Sequence, residues 1–134
     1  LSLWIADLLI NLDGTPLILV ILTIVTTINL LTELTSNMAT TAMLLPVLVT
    51  IALAINVHPY FLLISATLAA SCAFMLPTAT APNAVVFGSG LLKIEDMFKK
   101  GIWMNIISII IITLIVYYFL PSIFDVSTEL IPIN

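Results

Sequence analysis

Polarity alone divides the chain into long apolar runs separated by short polar breaks. Residues 16–34, 39–56, 59–77 and 102–120 each approach the about 20 apolar residues that a membrane-crossing helix needs at a rise of about 1.5 Å per residue. A shorter apolar piece, 83–91, cannot cross alone. The first break is Leu31–Thr41, "LTELTSNMATT". A cytoplasmic turn carries Lys, Arg, Gly or Pro, and "ELTSNMA" has none of them. Its Ser36-Asn37 pair offers side-chain oxygens that compete with helix hydrogen bonds. Residues 15–57 therefore read as a re-entrant helix hairpin with its tip near Ser36 and Asn37. Two full spans would return the chain to the same side, so the missing turn residues carry this choice.

The second break is "MLPTATAPNAVVF", residues 75–87. Pro77 and Pro82 each remove a backbone donor, and Pro82 pushes Ala81 away from helical geometry. The pattern predicts a helix from 59 that stops near Leu76, an unwound stretch from Thr78 to Ala81, and a half-helix starting near Asn83, with Asn83 capping its first turn. Residues 58–92 thus read as one broken transmembrane helix. Residues 1–14 read as the end of a preceding helix and an outer loop, with Asp7 and Asn11 on one face. Residues 93–101, "KIEDMFKK" and the following glycine, read as a cytoplasmic interfacial connection with its own short helix. The last transmembrane helix occupies 102–121, and 122–134 form an external tail.

Composition fixes the class. Of 134 residues, 62% are hydrophobic and 7% charged, against about 25% charged in soluble domains. Mean hydropathy is +1.31. The chain reads as an all-α integral membrane protein. The net charge of −4 and only three lysines leave no basic patch for nucleic acid. Those lysines, Lys93, Lys99 and Lys100, share one connection, which places 93–101 in the cytoplasm and the C-terminus outside. The opening residues, with no initiator Met or basic n-region, read as the start of a C-terminal piece cut from a longer chain.

Two breaks facing each other in a membrane suggest ion coupling. Half-helix N-termini attract anions, while unwound carbonyls and helix C-terminal ends suit sodium. The polar groups here are hard oxygens from Thr, Ser, Asn and backbone, with no Lys or Arg in either break. An anion bound among them would depend on bound cations.

"LTELTSNMATTAMLLP" and "ASCAFMLPTATAPNAVVFGSGLLK" together resemble the C-terminal half of the divalent anion/sodium symporters, the dicarboxylate, citrate and sulfate transporters. The resemblance runs over about residues 15–120, and its most specific part is the "S-x-A-F-M-L-P-x-A-T-x-P-N-A" run. It implies an inverted-repeat, elevator-type transporter that dimerises through a scaffold domain and binds sodium and a dicarboxylate or sulfate anion. The first repeat, with its own Ser-Asn-Thr hairpin, would belong to the remainder of the transporter chain. Carried over by position, Thr32, Thr35, Asn37 and the Ala79 carbonyl would bind sodium. Ser36, Asn37 and Thr80 would meet the substrate, joined by Met38, which stands where the motif has Thr. Ala81 stands where the signature has Pro. The function implied is sodium-coupled symport of a divalent anion, a C4-dicarboxylate ahead of sulfate or citrate, in the plasma membrane. The implied coupling ions are sodium, with no other metal or cofactor.

Other features read more plainly. Glu33, an acid at membrane depth, reads as a carboxylate bonded to a neighbouring hydroxyl in the bundle rather than as a ligand. Ser65, Ala69 and Ala73 form a small-residue stripe for close helix packing. "FGSG" at 87–90 and His58 fall on opposite sides of the broken helix, so no enzyme is read here. The alternative class is a non-catalytic membrane subunit or channel-like module in which the polar stretch is helix-packing glue.

Overall fold

The computed structural model describes residues 15–125. The expectations for residues 1–14 and for the tail beyond Asp125 lie outside the described residues. Every element among the described residues is helical: α1 (Leu17–Thr32), α2 (Asn37–Ala54), α3 (Tyr60–Ala70), α4 (Ala81–Gly88) and α5 (Ile94–Phe124). Helices suit this composition because they satisfy their backbone polar groups internally, which hydrocarbon surroundings demand. Of these helices, α2 and α5 are long and apolar enough to cross a membrane.

Helix α3 lies at the centre, packed against α1, α2 and α5, while α1 also packs on α5. Ser65, Ala66, Ala69 and Ala70 of α3 are buried together with Val25 and Ile28 of α1 and Val116 of α5. The small side chains let neighbouring backbones approach closely. By contrast, α4 has no buried residue, and Val85 is 75% exposed.

Helices α1 and α2 are joined by the turn Glu33–Ser36. Helix α3 ends at Ala70 rather than near Leu76, and the chain stays non-helical from Ser71 to Thr80. The proline at 77 is therefore not what ends it; side chains from other helices take the backbone groups that would continue it, as described below. The half-helix begins at Ala81, and its N-cap is Thr80, whose Oγ1 accepts from the Asn83 N–H at 3.3 Å. Asn83 is the donor of this cap and not the cap itself. The segment 93–101 forms no separate interfacial helix. Helix α5 runs unbroken for 31 residues, roughly 46 Å, which exceeds a hydrocarbon core of about 30 Å. Its first turn carries Glu95 and Asp96, where acids complement the helix dipole.

Candidate functional site

The two breaks meet through Glu33. Its carboxylate is buried at the end of α1 and is bonded to three consecutive backbone N–H groups of the unwound segment. Phe74 and Met75 donate to Oε1 at 2.8 and 3.0 Å, and Met75 and Leu76 donate to Oε2 at 3.1 Å each. Asn105 of α5 adds its Nδ2 to Oε1 at 2.6 Å, and its own Oδ1 accepts from the Phe74 N–H at 3.2 Å. The partners are amides from the second break and from α5, not the neighbouring hydroxyl expected from sequence. Every partner is a donor, as an acceptor-only carboxylate requires.

Three more groups hold the same stretch. Asn29 Nδ2 donates to the carbonyls of Ala69, in the last turn of α3, and of Cys72, just beyond it. Asn83 Nδ2 donates to the carbonyls of Ala73 and Leu76 at 2.9 and 3.0 Å. Gly101 lies so close to this segment that a Cβ there would sit 2.6 Å from Met75 Cα and 2.7 Å from the Phe74 carbonyl carbon. Gly101 and Asn105 stand four residues apart on one face of α5, one leaving room for the unwound backbone and the other bonding it. Asn29, Gly101 and Asn105 were not singled out from sequence. The available signals were lone amides inside apolar runs, and a glycine one helical turn before one of them.

The turn at 33–36 is finished differently. Ser36 is the N-cap of α2 by position, yet its side chain makes no capping bond. The first amides of α2 thus lack the side-chain acceptor that usually satisfies one of them. Asn37 Oδ1 is buried and unpartnered among the described residues; Asn29 Oδ1 is the other such atom. Thr35 Oγ1 donates to the Leu31 carbonyl and lies 2.6 Å from Thr40 Oγ1. Thr32 is fully buried, and its hydroxyl donates to the carbonyls of Ile28 and Asn29 at 3.0 Å each. Donation uses the hydroxyl hydrogens and leaves lone pairs free to accept or to coordinate.

Asn37 and Met38 line an open groove of about 340 Å³ with Thr41 of α2 and with Thr67, Ala70 and Ser71 at the end of α3. Met38 is 85% exposed. Of the expected site residues, the structure gathers these two in one groove. Thr32 and Thr35 are joined by hydrogen bonds to α1 carbonyls and, through Thr40, to α2. Ala79 is buried in the unwound segment, and Thr80 is engaged as the cap of α4. The described residues contain no group of three or more His, Cys, Asp or Glu that would hold a transition metal.

A family model described as the sodium:sulfate symporter transmembrane region matches residues 1–124. A sodium-dependent dicarboxylate transporter of Staphylococcus saprophyticus is 41% identical over 132 residues, which is 98% of this chain and 25% of that protein. Transporters of the same name from Staphylococcus aureus strains MRSA252 and USA300 are 45% identical over 127 residues, covering 95% of this chain and 24% of theirs. The chain thus spans about a quarter of the length of these curated relatives. Their names describe transporters, not enzymes.

Proposed function

The chain belongs to the sodium:sulfate symporter family of integral membrane transporters, and on that premise we propose that the whole protein couples inward sodium flow to uptake of a divalent anion. A C4-dicarboxylate is the substrate this reading favours, in line with what the relatives' names say they carry. The observation that carries the reading is the hairpin tip. It combines a buried, unpartnered amide oxygen at Asn37 with an α2 N-terminus left uncapped by Ser36. An unpartnered buried oxygen is costly unless a cation or donor completes it. Uncapped helix N–H groups suit an anion.

In this reading sodium is bound by Asn37 Oδ1, the hydroxyl oxygens of Thr32 and Thr35, and the carbonyl of Ala79. The anion is met by Ser36, Asn37 and Thr80, with Met38 as an apolar wall of the groove. Thr80 can fill both roles, because its oxygen accepts from Asn83 while its hydroxyl hydrogen remains to donate. The hairpin in this reading is re-entrant: α1, at roughly 24 Å, falls short of the about 30 Å hydrocarbon core, and the turn 33–36 carries none of the Lys, Arg, Gly or Pro of a cytoplasmic turn, which together support a tip at depth. In the same reading the exposed surface of α4 packs against the remainder of the transporter chain, and the whole protein is an inverted-repeat, elevator-type dimer with a scaffold domain. On this reading the positive-inside rule puts Lys93, Lys99 and Lys100, and with them residues 93–101, in the cytoplasm and the C-terminus outside.

The test is uptake of succinate and of sulfate by proteoliposomes holding the complete protein, with and without an inward sodium gradient. Stimulation of at least one by sodium is expected. Indifference of both to the gradient overturns the coupling.

A further inference from the structure

Glu33 is a buried carboxylate with no part in the proposed ligand set, yet it is the most heavily bonded side chain of the two breaks. Three successive backbone N–H groups pointing at one anion form a nest, a geometry that elsewhere holds phosphate or other free anions. Here the nest at Phe74–Leu76 is filled by the chain's own carboxylate, delivered from α1. Both carboxylate oxygens are engaged by donors, so neither is left over as a principal cation ligand. The α5 group facing it is the amide of Asn105, so it is not held as an ion pair from that side.

We propose that Glu33 is the positioning residue of the sodium site, a clamp that sets the unwound segment against the hairpin. The inference rests on the sodium site proposed above. Thr32 is its chain neighbour and Thr35 lies two residues on, while Ala79 lies three residues beyond Leu76. The clamp therefore fixes the hairpin oxygens and the unwound carbonyl relative to each other across about 40 residues of chain. Asn105 and Gly101 complete it from α5: the amide bonds both Glu33 and Phe74, and the glycine lets that backbone lie against the helix. Without the carboxylate, the Met75 and Leu76 amides lose their acceptor where water is scarce, Phe74 keeps only Asn105 Oδ1, and the segment must shift to find another.

Glu33→Gln places an NH2 group against those backbone N–H donors. In the complete transporter in proteoliposomes, the sodium concentration for half-maximal uptake is expected to rise about tenfold, with anion half-saturation at saturating sodium within about twofold of the parent. A sodium curve that matches the parent overturns the proposal. A general loss of structure would move both constants or only the amount of active protein. Should Glu33→Gln fail to reach the membrane, Asn105→Ala decides, since it leaves the three backbone bonds in place; a rise of about threefold supports the clamp and an unchanged curve refutes it. Labelling separates this inference from the site it rests on. A Thr78→Cys probe, in a background free of other reactive cysteines, should react several-fold faster when Glu33→Gln is added, whatever ion binds. If labelling accelerates while Asn37→Ala keeps full sodium dependence, the clamp stands and the sodium site lies elsewhere. If labelling and the sodium curve both match the parent, the clamp is wrong.

Discussion

At the second break, residues 71–80, backbone polar groups are taken up by side chains from three other elements: Asn29 and Glu33 from the first arm and its turn, Asn83 from α4, and Asn105 from α5. At the first break, Ser36 caps nothing and Asn37 keeps a buried oxygen without a partner. Both stretches interrupt apolar helices, and both are rich in small polar residues. One is a joint whose backbone groups are taken up by side chains, with the Oδ1 of Asn29 left over, and the other has the features of an open socket. The difference between them lies in the backbone: bonded by side chains at the joint, left without a side-chain cap at the hairpin tip. Two asparagines make the contrast concrete. Asn83 spends both side-chain amide hydrogens on carbonyls of the unwound segment, while the side-chain Oδ1 of Asn37 is still unused.

Substitutions at the joint should cost stability, and those at the socket should cost transport alone. The largest effect is expected at Gly101. Gly101→Leu drives a side chain into the Phe74–Met75 backbone and should destabilise the complete transporter by about 3 kcal/mol or more, read as a lower melting temperature in detergent or as loss of folded protein from the membrane. Asn83→Ala removes two hydrogen bonds to Ala73 and Leu76 and should cost about 1–3 kcal/mol by the same measurement. Thr80→Ala removes the cap of α4 and should cost about 1 kcal/mol. It should also weaken anion affinity, since Thr80 belongs to both regions. Ser36→Ala should change stability by less than about 0.5 kcal/mol, because its hydroxyl makes no cap bond, yet raise the anion concentration for half-maximal uptake several-fold. A stability loss at Ser36 as large as that at Asn83 would erase the distinction between joint and socket.

The hydrophobic pattern made much of this legible. The interruption near Ser36 and the one between Met75 and Asn83 were visible as polar or proline-bearing gaps in apolar runs, and "SCAFMLPTATAPNA" carried the family resemblance. Local chemistry did not reveal where α3 ends. "AASCAFML" contains no helix breaker, so the reading waited for Pro77, whereas the structure stops at Ala70 because Asn29 holds carbonyls and Glu33 holds amides that a longer helix would have used. Those partners lie about 40 residues away in sequence, and no local rule connects them. The bonding of Glu33 was hidden for the same reason: apart from the Asn105 side chain, its donors are main-chain amides, which every residue but proline carries. In the sequence reading Gly101 falls at the end of the 93–101 connection, just before the last helix. Its actual place, buried inside a continuous α5, follows from a backbone that only tertiary structure brings beside it.

The most direct test pairs transport with stability in one variant, Asn37→Ala, in the complete transporter reconstituted into proteoliposomes. An open socket predicts that sodium-dependent uptake disappears while the melting temperature stays within about 2 °C of the parent, because the lost oxygen bonds nothing in the unliganded fold. Near-normal uptake, or a fall in melting temperature as large as that of Asn83→Ala, would contradict it.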